Sequence, residues 1–178
     1  MRYLLAAAVL SLEALVPGTP GVTVHEDRGV YSVTARFDVP APAPVARAVL
    51  TDYEQIPRFM PGVKTSVVRE RTAQGAVIEQ EAVSKFLMFS KRLHLVLEVS
   101  EQADALSFRD RCGRSFARYE GEWRLTPHDG RTELLYVLTA EPSFEVPGFI
   151  LKRLLERDSK DMIEQLRQEI ARRDGGAS

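Results

Sequence analysis

Apolar and polar residues alternate along much of the chain, and this alternation predicts β-strands. Between residues 116 and 125, one face carries apolar or small residues and the other carries mainly arginine and glutamate. The residues on the first face are Tyr119, Gly121, Trp123 and Leu125. Residues 92–100 show the same period of two, with Val96 as the one apolar residue on the polar side. Such strands are typical of an antiparallel sheet that buries one face and exposes the other.

A different spacing follows Pro142 and predicts one long C-terminal helix, from about Pro147 to Arg172. Its apolar residues recur at helical spacing, as expected for a helix that buries one face. They are Leu151, Leu154, Leu155, Met162, Leu166 and Ile170. Two shorter helices, interrupted by prolines, are predicted between Ala43 and Met60. The pattern as a whole predicts an α+β fold in which an antiparallel sheet of about six or seven strands wraps around the C-terminal helix.

Composition and charge limit the classes of function. The chain has 178 residues, 44% of them hydrophobic, and a formal net charge of -1, which predicts one globular domain with a substantial core. Because acidic and basic residues are balanced, no overall field would recruit nucleic acid or an anionic membrane, and no nucleic-acid partner is predicted. Cys112 is the only cysteine, so an intramolecular disulfide and a two-cysteine metal or redox motif are excluded.

The N-terminal residues differ from the rest of the chain. Arg2 precedes the apolar run Tyr3 to Leu12, and the turn-rich segment Val16 to Gly21 follows. This order predicts a signal peptide and linker over residues 1–20, and export to the periplasm or outside the cell. The run is too short for a stable membrane span. Glu13 interrupts its apolar end, which leaves a short structural helix or a misassigned start codon, with a cytoplasmic protein, as the alternative. The folded domain is predicted over residues 22–172, with a frayed tail at 173–178.

Residues able to hold a metal or to form a catalytic group are not gathered in the sequence. The histidines, His25, His94 and His128, are far apart, and no two have the spacing of metal ligands. No Ser/His/Asp, Cys/His or paired-carboxylate arrangement is recognisable in the local sequence. We therefore predict no metal site, no cofactor and no catalytic residue from these patterns.

Polar residues occur on two faces that are otherwise apolar. Gln80 and Ser84 share a strand face with Ile78, as expected for polar groups in a ligand cavity. In the opposite register Val77, Val83 and Leu87 would face inward, or Gln80 would bond to a neighbouring backbone group. On the C-terminal helix, Asp158 falls within the apolar stripe, where it either contacts a cavity or lies at the edge of the stripe in solvent.

Three aromatic residues are predicted to lie together. If the last two strands pair around Asp129-Gly130, Tyr119 and Trp123 come close to Tyr136. Such side chains provide apolar area and a hydrogen-bonding group, which suits a flat apolar ring. Packing within a filled core is the alternative. Gly121, beside Trp123 on the inner face, indicates that room is left there for another group to approach.

Several of these segments together resemble the START-like (SRPBCC) superfamily. The resemblance is carried by residues 46–61, with Leu50-Thr-Asp-Tyr-Glu and Phe59-Met-Pro, and by Gly121-Glu-Trp-Arg-Leu-Thr-Pro, Thr132-Glu-Leu-Leu-Tyr and the C-terminal helix. It is nearest the coenzyme Q-binding and polyketide cyclase/dehydrase-like branch, and it extends from about Val22 to Arg172. It implies a helix-grip fold that holds an apolar ligand between sheet and helix.

The resemblance implies a protein that binds or transfers a lipid, a quinone or a polyketide-like molecule. The residues expected to contact the ligand are Tyr119, Gly121, Trp123, Tyr136, Gln80, Ser84, Leu154 and Asp158. The alternative is a polyketide cyclase/dehydrase-like enzyme in which Tyr119, Tyr136 or Asp158 transfers a proton in the same cavity. A third possibility is a partner-binding domain with a filled core.

Overall fold

Eight strands form one antiparallel sheet, with the order β1-β2-β8-β7-β6-β5-β4-β3. The computed structural model describes residues 21–86 and 88–176. The strands are β1 Gly21–Asp27, β2 Val30–Val39, β3 Val63–Thr72, β4 Gly75–Phe86, β5 Phe89–Glu101, β6 Ala105–Asp110, β7 Phe116–His128 and β8 Arg131–Pro142. The predicted signal peptide and linker at 1–20 and the last two residues of the predicted tail lie outside the described residues.

The antiparallel sheet and the long C-terminal helix confirm the predicted fold class. The sheet has eight strands rather than six or seven, because the N-terminal hairpin belongs to the same sheet. β2 pairs with β8 along its length, from Tyr31 opposite Ala140 to Val39 opposite Thr132. The hairpin therefore adds two strands at one edge instead of standing apart from the main sheet.

The helices occur where the prolines predict them. Helix α1 spans Ala43–Leu50 and begins after Pro42, a 3₁₀ turn covers Tyr53–Gln55, α2 spans Ile56–Phe59, and α3 spans Gly148–Gly175 after Pro147. Helix α3 ends at Gly175 instead of Arg172. The guanidinium groups of Arg172 and Arg173 in its last turn both bond to the Glu169 carboxylate, which holds that turn and places basic groups at the negative end of the helix.

The core lies between the inner face of the sheet and α3. Strand β2 buries every second residue from Tyr31 to Val39, and β8 does the same from Thr132 to Ala140. Helix α3 covers this surface with Ile163, Leu166 and Ile170, each almost completely buried. Burying a side chain of this size contributes roughly 1.5–3 kcal/mol, so α3 and the inner face stabilise each other. Within the described part of the chain, no helix is both long and apolar enough to cross a membrane.

Candidate ligand-binding cavity

A cavity of about 190 Å³ lies between the sheet, α3 and the segment that contains α1 and α2. The sheet forms its floor, chiefly with Ile78, Gln80, Leu97, Leu106, Phe108, Tyr119, Trp123 and Tyr136. Its walls come from Met162 and Leu166 of α3 and from Val49, Leu50, Tyr53, Ile56, Phe59, Met60 and Val63. None of these side chains is a carboxylate, an amine or a guanidinium. The cavity therefore offers apolar surface with a few neutral polar groups, which is typical of sites for small apolar molecules.

The floor of the cavity is a cluster of aromatic rings. The β7–β8 hairpin turns at Asp129 and Gly130, both with positive φ, and it places Trp123 directly opposite Tyr136 with ring centroids 4.5 Å apart. The Phe108 ring lies 6.0 Å from the ring of Tyr119 and 6.3 Å from that of Tyr136. The structure thus brings together the three aromatic residues that the sequence predicted to be neighbours.

Two of these aromatic residues form a buried pair of hydroxyl groups. The Tyr136 hydroxyl is hydrogen-bonded to that of Tyr119. Burial raises the pKa of both phenols above the usual value of 10.0, although the hydrogen bond from Tyr136 partly opposes the rise for Tyr119. Both groups are therefore neutral near pH 7. They can donate and accept hydrogen bonds, but neither is available as a phenolate base.

Tyr53 is the third phenol of the cavity, and it is also neutral. Its hydroxyl donates to the Glu101 carboxylate over 2.6 Å. Burial and this hydrogen bond raise the pKa of Tyr53. Arg47 also contacts Glu101, at 3.3 Å, so the carboxylate joins β5 to both α1 and the 3₁₀ turn.

Gln80 faces the cavity, as one of the two predicted registers required. Its amide donates to the Ser66 hydroxyl on β3 over 3.0 Å, so the partner of Gln80 is a side chain rather than the backbone. Because this bond uses one amide hydrogen, Gln80 keeps further hydrogen-bonding capacity for a ligand.

Ser84, Asp158 and Leu154 lie beside the cavity and do not line it. The Ser84 hydroxyl donates to the half-buried Asp158 carboxylate, which is also 3.1 Å from the Nε of Arg157. This contact joins β4 directly to α3. Leu154, one turn earlier on the helix, is buried. These residues close the space between β4 and α3 beside the cavity, and none of them lines it.

The space beside Gly121 is already occupied, which corrects the interpretation of this glycine. A Cβ atom at position 121 would lie 2.2 Å from the carbonyl oxygen of Val137 and 2.7 Å from Cζ of Phe108. Gly121 is absent from the cavity lining. The residue allows β8 and the Phe108 ring to approach β7 closely, so the group that the glycine admits belongs to the protein itself.

Most of the cavity wall was not predicted from the sequence. Tyr53, Phe59 and Met60 face the cavity, and so does Met162. The available signal was the spacing of apolar residues from Val49 to Met60, which gives both short helices an apolar side. That spacing predicts burial but does not distinguish a core contact from a cavity wall.

Two sets of contacts hold the α1–α2 segment, residues 43–60, against the rest of the protein. In the first, Tyr53 and Arg47 bond to Glu101 on β5, as described above. In the second, the guanidinium of Arg173 on α3 lies 2.9 Å from the Asp52 carboxylate and 6.0 Å from the centre of the Phe59 ring. Glu169 contacts the same guanidinium at 2.7 Å. The wall of the cavity is thus tied to both the sheet and the end of α3.

Other side chains that could bind a metal or take part in acid–base chemistry lie apart from the cavity. Among the residues that the structure describes, no three His, Cys, Asp or Glu side chains are gathered in a way that could hold a metal ion. His94 contacts Glu79 at 3.5 Å and His128 contacts Asp38 at 3.3 Å. The Cys112 thiol donates to the Asp110 carboxylate at 3.3 Å.

The fold is similar to several solved structures. The START superfamily protein from Mycobacterium smegmatis superposes with a TM-score of 0.68 at 19% identity, covering 79% of this chain and 97% of that one. The Zhui aromatase/cyclase from Streptomyces sp. R1128 gives 0.69 at 18% identity, with coverage of 81% and 95%. A STAR-related lipid transfer protein from Xanthomonas axonopodis gives 0.64 at 16% identity, with coverage of 85% and 99%. At these identities the similarity establishes the fold alone.

A sequence comparison identifies the family. No curated protein matches the chain significantly. The sequence profile of the family described as "Polyketide cyclase / dehydrase and lipid transport" matches residues 39–167, which include both short helices, β3 to β8 and most of α3. The protein therefore belongs to the polyketide cyclase/dehydrase and lipid transport family.

Proposed function

We propose that the protein binds an apolar small molecule that carries a ring and a hydrogen-bond acceptor, such as a quinone or an aromatic polyketide. The observation that carries this proposal is a cavity in which apolar side chains surround a neutral pair of tyrosine hydroxyls. The bond between the two phenols uses one of their hydroxyl hydrogens and leaves the other for a ligand acceptor. Membership of the family supports an apolar ligand. The proposed class of ligand rests on the cavity.

The size of the cavity supports a ring rather than an extended chain. An apolar cavity of about 150 Å³ accepts a benzene molecule, and this cavity measures about 190 Å³. It therefore has room for one substituted ring. Larger ligands need movement of the wall, and the two flexible methionines in it, Met60 and Met162, are suited to such adjustment.

Binding is better supported than catalysis. A general base that works near neutral pH needs a pKa near that pH. The ionisable groups that line the cavity are Tyr53, Tyr119 and Tyr136, and burial raises the pKa of all three. Asp158, the third candidate for proton transfer, bonds to Ser84 outside the lining. A cyclase of this fold would have to act here mainly by orienting its substrate.

The proposal is tested with acetophenone, a ring with a carbonyl acceptor, and ethylbenzene, a similar ring without one. Trp123 is the only tryptophan in the chain, so its indole N–H gives one resonance in a ¹H–¹⁵N spectrum. We expect both compounds to shift this resonance in a saturable manner. Tyr119→Phe should weaken acetophenone binding about 2–10-fold, the loss of one hydrogen bond, and should leave ethylbenzene binding unchanged.

A matched pair of substitutions on β3 separates cavity binding from general adsorption. Val63 lines the cavity, whereas Val67 on the same strand is 40% exposed. Val63→Phe should reduce the affinity for both compounds, and Val67→Phe should not. Equal binding by the two variants, or no saturable shift with either compound, would contradict the proposal.

A further inference from the structure

The β4–β5 hairpin extends beyond the rest of the sheet as a two-stranded arm. β3 pairs with β4 only as far as Ala82, and β6 pairs with β5 only from Leu97 onward. β4 and β5 continue to pair with each other past these limits, through Ser84 opposite Lys91. The end of the hairpin therefore lacks strand neighbours on either side.

This arm reaches the same end of the molecule as the first turn of α3. Ser84 contacts Asp158, and Gln80 shares the cavity with Met162, so increasing numbers on β4 correspond to decreasing numbers on α3. Met88 lies in the hairpin turn, three residues before Lys91, the partner of Ser84, so it is about 10 Å beyond Ser84 at roughly 3.3 Å per residue. Phe149 is about 13 Å before Asp158 at 1.5 Å per residue. The two residues therefore lie at similar heights.

A second contact ties the arm to the loop before α3. The Lys91 ammonium lies over the Phe144 ring, 4.4 Å from its centre. Phe144 immediately precedes the segment that leads into α3. The arm and the start of α3 thus form one continuous surface.

Large apolar side chains are exposed on this surface. The Met88 side chain is fully exposed and that of Phe149 is 68% exposed, the two highest values for large apolar residues in the described part of the chain. Single exposed apolar residues are common on protein surfaces, but these two lie at the same end. In the sequence, Met88 also falls within a run of four apolar residues, from 86 to 89.

Basic residues surround these two apolar residues. Lys85 and Arg92 are exposed on the arm, and Lys152 and Arg153 are exposed on the first turns of α3. Among the acidic residues nearby, Glu145 is exposed and Glu156 is half-buried, so this surface has a local excess of positive charge although the whole chain has a net charge of -1. Exposed apolar side chains beside lysine and arginine match the surface of a bilayer with anionic headgroups.

We propose that this surface docks onto an anionic lipid bilayer. We name it the basic–apolar end and define it by Lys85, Met88, Arg92, Phe149, Lys152 and Arg153. Met88 and Phe149 enter the interfacial region of the bilayer, while the basic side chains contact the headgroups. The proposal does not depend on a ligand in the cavity, because none of these residues lines it.

The test is sedimentation of the full chain with lipid vesicles. Vesicles of phosphatidylcholine are compared with vesicles that also contain 30% phosphatidylglycerol. We expect binding to the anionic vesicles that weakens with added salt, and little binding to phosphatidylcholine alone. Lys85→Glu combined with Lys152→Glu should reduce the affinity by at least about tenfold. Met88→Ser combined with Phe149→Ser should reduce it by a similar factor at unchanged charge.

A control pair carries the same change in charge elsewhere. Arg58 on α2 and Arg131 at the start of β8 are both exposed and lie outside the basic–apolar end. Arg58→Glu combined with Arg131→Glu should keep most of the binding, and all three double variants should remain folded because the replaced side chains are exposed.

Several results would overturn the proposal. The first is that the chain does not bind anionic vesicles. The second is that the Lys85/Lys152 and Arg58/Arg131 double variants lose vesicle affinity equally. The third is that the Met88/Phe149 double variant binds as tightly as the parent. If the chain does not bind vesicles but forms a dimer that the Met88/Phe149 double variant abolishes, the basic–apolar end is a contact between copies of the chain instead. Vesicle binding without any shift of the Trp123 resonance by acetophenone or ethylbenzene would reject the cavity proposal and leave this one intact.

Discussion

Adding one methyl group at position 121 should strongly destabilise the protein. In Gly121→Ala the new Cβ would lie 2.2 Å from the carbonyl oxygen of Val137, 2.7 Å from Cζ of Phe108 and 3.2 Å from Cα of Leu138. Two of these three atoms belong to the backbone of β8, so a change of rotamer cannot relieve the contact. Overpacking costs typically 1–3 kcal/mol, and here we expect about 3 kcal/mol or more. For a chain of this length, that loss lowers Tm by about 6–12 °C.

The measurement is urea unfolding followed by circular dichroism, with two comparison variants. Gly21 has nothing within 4 Å of an added Cβ, so Gly21→Ala should leave stability unchanged or raise it by less than about 1 kcal/mol. Phe108→Ala combined with Gly121→Ala should recover little, because the Val137 oxygen stays in place. A Gly121→Ala protein within about 0.5 kcal/mol of the parent would refute the reasoning, and so would complete recovery in the double variant.

Three further predictions concern the end of α3, the wall of the cavity and the N-terminus. The arginines beside Glu169 lower the pKa of its carboxyl from 4.5 to about 2, so their contribution, about 1–2 kcal/mol after allowance for hydration, is complete above about pH 5 and lost as the pH falls from about 4.5 to about 2. The difference in unfolding free energy between the parent and Glu169→Gln should therefore shrink between pH 7 and pH 3, and a constant difference would contradict this. Tyr53→Phe removes the hydroxyl that donates to Glu101 over 2.6 Å and leaves Arg47 as the remaining contact of that carboxylate, so it should cost about 1–2 kcal/mol in urea unfolding, whereas an unchanged midpoint would show that the bond contributes nothing. Deletion of residues 1–20 should leave Tm nearly unchanged if they form a signal peptide and linker, and a markedly lower Tm would place them in the core.

The fold could be predicted from the sequence because its strands bury one face. A period of two assigns each strand residue to a face, and one apolar stripe on the last helix requires a surface to cover. These two facts place Trp123 and Tyr136 on the inner face, and the Asp129-Gly130 turn brings them together. For Gln80, either register satisfied the local pattern of apolar and polar residues. Only the pairing with β3 and β5 decides that Gln80 faces inward.

The parts of the site that the sequence did not predict depend on distances between distant segments. Alternation places Ser84 on the inner face, but the contact with Asp158 depends on how closely α3 approaches β4. The sequence around Gly121 would be the same whether a ligand or the protein itself fills the adjacent space. Phe108 fills it, and this residue comes from β6, which pairs with β7 only in the folded sheet. Local patterns therefore identify faces, while the boundary between cavity and core depends on packing.

The neutral cavity and the charged contacts around it belong to the same arrangement. A charge inside a cavity of this size would lose much of its hydration, and an ion pair there would repay that loss only with excellent geometry. The fold uses phenols and an amide inside, and it places Asp52 and Arg173 at the edge, where the guanidinium is 24% exposed and the carboxylate is 37% exposed. Ion pairs at such positions contribute little individually. Water can therefore replace the ion pair between the α1–α2 segment and α3 at low cost, and short helices interrupted by prolines give this segment few internal hydrogen bonds. We expect this wall, rather than the sheet or α3, to move when a ligand larger than the 190 Å³ cavity binds.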